Sequence, residues 1–217
     1  MSVVISVVGK SKVGKTTFLE GLISEMKQRA YRVAVVKHDM HGFEIDKPGK
    51  DSWRLTQAGS DLTAISSPQK IAIIRQVEHD HSLGELSRLI GNEYDIIFTE
   101  GFKRDKAIKI EVHRQETGEL LCASSELLAV ATDEQLDIGV PALALDDFRG
   151  MAELIESYLK DSNKGELSLF VNRFPVPLNA FATEMISGAI RGMISALKGI
   201  PSDIGSIDMI WQKRKCS

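Results

Sequence analysis

The residues whose types and spacing could do chemistry begin at Gly9, where GKSKVGKT fits the pattern G-x-x-x-x-G-K-[ST]. The two glycines, Gly9 and Gly14, let the backbone turn so that successive N–H groups point at one anion. Lys15 would bring a positive charge to the β- and γ-phosphates of a nucleotide, and Thr16 a hydroxyl to Mg²⁺. The segment therefore predicts a phosphate-binding loop.

The elements around this loop are those that its mechanism needs. Residues 2–8 (SVVISVV) have the length and the β-branched composition of a buried strand in a parallel sheet. After the loop, Leu19, Leu22, Ile23 and Met26 recur at helical spacing. A loop between a strand end and a helix start gains the free N–H groups and the positive dipole end of the helix.

Composition narrows the class of protein. The chain has 217 residues and is 43% hydrophobic, enough for one large domain or for a domain with a smaller one. Its net charge of −3 gives no overall basic field, so we expect no nucleic-acid partner. The two cysteines form no metal or disulfide pattern, and no apolar run reaches the ~20 residues that span a bilayer. The first residues run straight into the phosphate loop and do not form a signal peptide. We therefore expect a soluble, cytoplasmic protein with no membrane partner.

The remaining pattern alternates strands with helices. Apolar runs predict strands at 32–37, 62–66, 71–76, 94–99, 127–132 and 141–145, and helices at 52–58, 83–90 and 151–159. Residues 108–114 (IKIEVHR) alternate in period two and predict a half-exposed strand. The fold class is α/β: a three-layer sandwich of the P-loop NTPase type with a mostly parallel sheet.

A polar linker at 161–165 separates residues 1–160, the predicted nucleotide-binding domain, from 166–217. The second segment predicts a small accessory α+β domain. Its expected elements are a strand at 167–171, a turn at Pro175 and Pro177, a helix from Asn179 to Gly199 with an apolar stripe, and a strand at 204–211 before a basic tail.

Carboxylates mark a metal site at the predicted strand ends. Glu100 ends a buried strand, where nucleotide-binding folds place an acid near Mg²⁺ and the γ-phosphate, so we assign it a catalytic and metal-binding role. Asp95 starts the same strand and should lie at the wrong end. Asp46, in the loop after the second strand, could hold a Mg²⁺-bound water or orient the attacking water. Asp51 could do the same, or cap the helix that follows it.

Two further residues, His38 and Asp133, are candidates for contacting other parts of a bound nucleotide or its substrate. His38, next to Lys37, is predicted to contact phosphate or substrate. The spacings of the histidines match no common structural zinc site, and no cysteine cluster accompanies them. Asp133 follows the predicted strand 127–132, and its carboxylate could accept hydrogen bonds from N1–H and N2–H of guanine. The alternative is that Asp133 caps a turn.

Several segments together resemble the molybdopterin-guanine dinucleotide biosynthesis adaptor family, MobB, over about residues 3–159. They are GKSKVGKTTF, KHDMHGFEIDKPGKDSWRLTQAG, YDIIFTEGFK, IKIEVHR and VATD. The resemblance implies a GTP-binding P-loop protein, a slow GTPase with Mg²⁺, that assists attachment of GMP to the molybdopterin cofactor. The implied partners are the guanylyltransferase that performs the attachment, molybdopterin itself, and a second copy of the chain in a homodimer.

The resemblance also implies roles for individual residues. By the family motif, the residues that would bind the nucleotide's phosphates are Gly9, Gly14, Lys15, Thr16 and Thr17. Lys10, Lys12 and Val13 of the same loop are also predicted to bind the nucleotide, and the two lysines make this loop more basic than the usual version. The signature loop of the family includes Lys37, His38, Asp46, Asp51 and Arg54. Lys10 stands where related dimeric P-loop ATPases carry a lysine that reaches across the dimer, although the paired glycines of that motif are here Ser11 and Lys12. Residues 165–217 exceed the core length of the family.

Two other functions are compatible with the same loop. A small-molecule kinase needs an acceptor site and commonly a mobile arginine-bearing lid, for which Arg54, Lys103 and Arg104 are available. A nucleotide-gated interaction protein would bind its partners without significant hydrolysis.

Overall fold

The computed structural model describes residues 2–39, 42–162, 167, 169–171, 174–200, 204, 207 and 209. The chain forms two compact units, residues 1–162 and 163–217. The elements of the first unit are β1 Val3–Val8, α1 Lys15–Gln28, β2 Val33–Lys37, α2 Asp51–Gln57, β3 Leu62–Ser66, β4 Ile71–Arg75, α3 Leu83–Ile90, β5 Ile96–Glu100, β6 Ile108–Val112, β7 Leu127–Thr132, β8 Ala142–Ala144 and α4 Phe148–Ser162.

The first unit is organised around a six-stranded sheet in the order β2-β5-β1-β6-β7-β8, in which every neighbouring pair is parallel. Ile5, Phe98 and Ile110 of the three central strands belong to one buried cluster with Leu22 of α1 and Met151 of α4. The predicted α/β fold with a mostly parallel sheet is therefore confirmed. The apolar residues spaced along α1 and α4 form that cluster because they lie on the helix faces turned towards the sheet.

Strand β6 differs from the prediction of a half-exposed strand, because it is buried on both faces. Ile110 and Val112 enter the apolar core, while Lys109, Glu111 and His113, on the opposite face, are 1%, 1% and 2% exposed. Apolar and polar residues alternate along β6 as predicted, but protein and not water covers the polar face.

Buried charges on β6 have specific partners. The ammonium of Lys109 lies 3.0 Å from Glu126 Oε1 and donates to the carbonyl of Asp105. Glu111 accepts hydrogen bonds from the backbone N–H groups of Leu121 and Cys122, at 2.7 and 3.0 Å. These contacts hold the segment between β6 and β7 against the sheet, since buried polar groups require partners.

Strands β3 and β4 form a separate antiparallel pair outside the main sheet. Four apolar side chains of this hairpin are between 43% and 67% exposed: Leu62, Ile65, Ile71 and Ile73. The next element, α3, begins with the capping box expected of its sequence, in which Ser82 and Glu85 bond each other's backbone N–H groups.

The second unit contains β9 Leu169–Val171 paired antiparallel with β10 Phe174–Val176, and α5 Ala180–Ser195. Asn179 caps α5, as its position before the helix predicts. The turn predicted at Pro175 is wrong, because Pro175 lies within β10, opposite Phe170. The predicted strand 204–211 and the basic tail lie outside the described residues, except for positions 204, 207 and 209. Among the described helices, none combines the length and the apolarity that crossing a bilayer requires.

The division into two units generates a prediction for a shortened chain. Helix α4 ends at Ser162, so a chain that stops there keeps the whole element that packs on the sheet. We expect residues 1–162 to stay folded and to bind GTP with nearly unchanged affinity, measured by circular dichroism and calorimetry against the full chain. An unfolded or insoluble product would show that the second unit completes the first unit's core.

Candidate nucleotide-binding site

The phosphate loop joins β1 to α1 along a path that only glycine permits at its start. A Cβ atom on Gly9 would lie 2.4 Å from the carbonyl oxygen of Val112 in β6. Gly14 caps α1 in the left-handed region, with φ 97°. Lys12, also left-handed at φ 65°, turns the loop between them. The backbone thus makes the tight turn that allows its N–H groups to face one anion.

Lys15 lies in the first turn of α1 and folds back over the loop. Its ammonium donates to the carbonyl of Lys10 at 2.8 Å and lies 3.4 Å from that of Gly9. Burial lowers the pKa of Lys15 from its ordinary value, with Glu100 opposing that shift and Lys103 and Lys37 adding to it. A phosphate bound in the loop would offer the Lys15 ammonium full negative charges in place of the carbonyl oxygens of Lys10 and Gly9.

Glu100 reaches the loop because β5 lies directly beside β1. Its two carboxylate oxygens lie 3.3 and 3.1 Å from the hydroxyl of Thr16. A hydroxyl and a carboxylate are the oxygen ligands that Mg²⁺ prefers, so these two residues fit the ion. Asp95 immediately precedes β5, at the end of the strand opposite to Glu100, where its side chain accepts a hydrogen bond from the N–H of Arg32.

Lys37 ends β2, which lies on the side of β5 away from β1, and His38 follows it. Lys37 is the register partner of Glu100, and the N–H of His38 donates to the Glu100 carbonyl at 3.0 Å. The ring of His38 lies 4.7 Å from that of Phe102, and its Nε2 is 2.8 Å from Asp80 Oδ2. The structure therefore brings both residues to the site's edge and directs the imidazole towards Asp80.

Asp46 makes contacts within its own loop. Its Oδ1 accepts the hydroxyl of Ser52 at 3.0 Å and the N–H of Lys47 at 2.9 Å. Its Oδ2 is buried and has no hydrogen-bond partner among the described residues. Asp51 is the first residue of α2 and lies 3.7 Å from Arg54. The metal role of Asp46 stays a prediction.

Asp133 follows β7 and is held by donors from the protein. Its Oδ1 accepts the N–H of Gln115 at 2.9 Å, and its Oδ2 lies 3.2 Å from Nη1 of Arg114. The hydrogen bond from the Gln115 N–H lowers the pKa of Asp133; the backbone N–H of Asp133 itself and then Arg114 add to this shift, and partial burial opposes it. Guanine recognition by this carboxylate stays a prediction, and it would have to compete with these partners.

Arg114 is a contact that the sequence analysis did not single out. Its Nε donates to the carbonyl of Val13 at 3.2 Å while its Nη1 bonds Asp133, so it joins the phosphate loop to the end of β7. A second contact comes from Lys10, whose ammonium donates to the carbonyl of Thr117. Lys10 therefore contacts its own chain. Of the other predicted phosphate-binding residues, Lys12, Thr16 and Thr17 are exposed and Val13 is buried. The position of Arg114 in the sequence could have identified it, because it follows β6, the strand that lies beside β1 in the sheet.

The parallel sheet, the turn between β1 and α1, and the Lys15, Thr16 and Glu100 cluster define an α/β protein of the P-loop NTPase type. The chain belongs to the family described as molybdopterin guanine dinucleotide synthesis protein B (MobB), whose model matches residues 4–133.

Individual proteins agree with this assignment. A molybdopterin-guanine dinucleotide biosynthesis adapter protein of Haemophilus influenzae is 38% identical over 71% of this chain and 88% of its own length. A crystal structure titled molybdopterin-guanine biosynthesis protein B is 30% identical, with a TM-score of 0.58 over 73% of this chain and 99% of that one.

A third relative, a putative adapter of the same description from Methanocaldococcus jannaschii, is 25% identical over 91% of this chain and 92% of its own. Because the first unit ends at residue 162, an alignment of that extent must include part of the second unit. The segment beyond the core is therefore shared with at least one relative.

The contacts of Asp133 generate a prediction that separates two roles. If the role of Asp133 is to position Arg114 against the phosphate loop, Asp133→Asn should lower the affinities for GTP and for ATP by the same factor. The loss should be about three- to thirtyfold, since a charge-assisted hydrogen bond is replaced by a neutral one. Calorimetry with GTP, ATP and XTP at one Mg²⁺ concentration measures it. A mutant that gains affinity for XTP while losing GTP would instead show that Asp133 reads the base.

Proposed function

We propose that this protein binds GTP with Mg²⁺ and acts as an adapter in the synthesis of molybdopterin guanine dinucleotide. The contact between Thr16 and Glu100 beside Lys15 carries the proposal, because it combines a metal-ligating pair with a phosphate-facing lysine at one loop. Membership of the MobB family and the adapter names of the relatives support the pathway.

In this role the protein works in the cytoplasm beside the guanylyltransferase that transfers GMP to molybdopterin, with molybdopterin as a further partner. Hydrolysis is slow. The phosphate loop supplies binding through Lys15 and the backbone N–H groups, and Glu100 with Thr16 holds the Mg²⁺. Bound GTP supplies the charge that Lys15 and Mg²⁺ neutralise.

Two substitutions test this proposal at separate steps. Lys15→Ala should abolish tight GTP binding, because the charge facing the phosphates is lost. Glu100→Gln is nearly isosteric and removes the charge facing the metal, so it should weaken Mg²⁺ dependence and turnover more than GTP binding. Calorimetry with GTP at several Mg²⁺ concentrations, together with a phosphate-release assay, measures both.

The controls keep the two results interpretable. Lys160→Ala removes an exposed lysine in the last turn of α4, outside the candidate site, and should leave GTP affinity unchanged. Circular-dichroism melts check that all variants fold. Unchanged GTP affinity in Lys15→Ala would refute the phosphate-loop assignment. Partner capture that depends on GTP without any turnover would favour a nucleotide-gated interaction protein.

We also propose that the protein is a homodimer. The β3–β4 hairpin carries four exposed apolar side chains, and β2, at the edge of the main sheet, leaves Val35 exposed. Such exposed apolar surface is typical of an interaction site. A second copy is the occupant that the family resemblance implies.

The dimer is tested by light scattering at micromolar concentration, with and without GTP. We expect twice the mass of one chain. Ile71→Lys with Ile73→Lys should shift the protein towards monomer, because both side chains are exposed on the hairpin. A wild-type protein that is monomeric under both conditions contradicts the proposal.

A further inference from the structure

A cluster of three potential metal ligands lies outside the phosphate loop. His79 and His81 follow β4, and Glu85 lies in the first turn of α3. Each offers one ligand atom, and these three atoms lie within 4.8 Å of one another. His79 Nε2 is 3.7 Å from Glu85 Oε1, and the two imidazole rings have centroids 5.0 Å apart. The two histidines are close in sequence, and the fold brings the Glu85 carboxylate to them.

The carboxylate of Glu85 is fixed by the capping box of α3. Its Oε2 accepts hydrogen bonds from the N–H and the hydroxyl of Ser82, at 2.9 and 2.7 Å. Its Oε1 is the oxygen nearest to His79. One oxygen is therefore held by the protein while the other faces the imidazoles. Ligating carboxylates in metal sites are held by outer hydrogen bonds in the same way.

His81 supplies an independent observation. Its Nδ1 is buried and has no hydrogen-bond partner among the described residues. A buried ring nitrogen without a partner is unfavourable by the free energy of a lost hydrogen bond. If Nδ1 of His81 binds a metal ion, the ion becomes the partner that this nitrogen lacks. If the other ring nitrogen binds the ion, coordination fixes the orientation of the ring and of Nδ1.

We propose that His79, His81 and Glu85 bind a divalent transition-metal ion, with Zn²⁺ as the best match. Two imidazoles and one carboxylate are ligands that Zn²⁺ accepts in sites with three protein ligands and a fourth, open position. Mg²⁺ and Ca²⁺ prefer oxygen ligands, so the nitrogen-rich set discriminates against them. Zn–N and Zn–O distances of about 2.0–2.2 Å require the three atoms to draw closer, which the exposed His79 side chain allows.

The proposed site is connected to the nucleotide site by a short path. Asp80, between the two histidines, bonds His38 Nε2, and the N–H of His38 bonds the carbonyl of Glu100. The metal site is distinct from the Mg²⁺ position at Thr16 and Glu100. It does not rest on the proposed function, since its ligands are separate from the phosphate loop.

The experiment uses the full chain, stripped with a chelator and kept in Mg²⁺ without nucleotide. Zn²⁺ is titrated by calorimetry and by competition with a chromophoric chelator. We expect one equivalent per chain. Replacing both histidines (His79→Ala with His81→Ala) should lower the affinity at least about a hundredfold, since loss of a mere outer-shell partner already lowers it ten- to a hundredfold.

Matched variants separate coordination from folding. Glu78→Gln removes an exposed acid from the same segment and should leave Zn²⁺ affinity unchanged. Ser82→Ala removes the hydroxyl that donates to Glu85 Oε2 and leaves the backbone N–H as the one remaining donor of that residue, so it should lower affinity by up to about tenfold without removing a ligand. Circular-dichroism melts establish that each variant is folded. The proposal is overturned if the wild type binds no equivalent of Zn²⁺, or if the double-histidine variant binds it as tightly as the wild type.

Discussion

The close approach of Gly9 to the Val112 carbonyl is the constraint on which the candidate nucleotide site depends. Only a residue without a side chain can pass β6 at that distance, and the phosphate loop begins there. The approach exists because β1 lies between β5 and β6 in a parallel sheet, so that all three strands end at one edge. Glu100 then flanks the loop on one side and Arg114 on the other. The chemistry of the site therefore follows from strand order.

On the Arg114 side of the phosphate loop, the structure depends on buried charged residues of β6. Lys109 and Glu111 are almost fully enclosed, and removing such ions from water costs several kcal/mol each unless partners compensate. Their partners are Glu126 and the backbone of 121–122, which belong to the segment that returns from β6 to β7. The same segment carries Thr117, which accepts from Lys10 of the phosphate loop. One ion pair of buried Lys109 and the backbone hydrogen bonds to buried Glu111 thus fix the segment that contacts the phosphate loop.

The sequence predicted the parallel fold, the phosphate loop and the strand-end position of Glu100, because each depends on local pattern and on the shared direction of parallel strands. It did not predict that the polar face of β6 is buried, since alternation alone does not say whether water or protein covers the polar side. Arg114 was missed for a related reason: its role comes from a neighbour 101 residues away in sequence. The histidines alone argue against zinc by their spacing in sequence; Glu85 was missed as a third ligand beside His79 and His81 because it comes from a helix cap that joins them only in the fold.

The arrangement of positive charge argues for binding over rapid hydrolysis. An arginine that stabilises the transferring phosphoryl group accelerates GTP hydrolysis by about 10³–10⁵. Arg114 contacts the phosphate loop, but its Nε is bonded to Val13 and its Nη1 to Asp133, so those two donors are committed to the protein. Arg54, in α2, is exposed and lies 3.7 Å from Asp51. Thr16 and Thr17 are exposed as well, so the single chain leaves this end of the loop open to water. Electrostatic stabilisation of a transition state is strongest where water is excluded, which a second protein surface laid over this end would achieve. An open site of this kind fits the proposal of a nucleotide-binding adapter whose site a partner would cover.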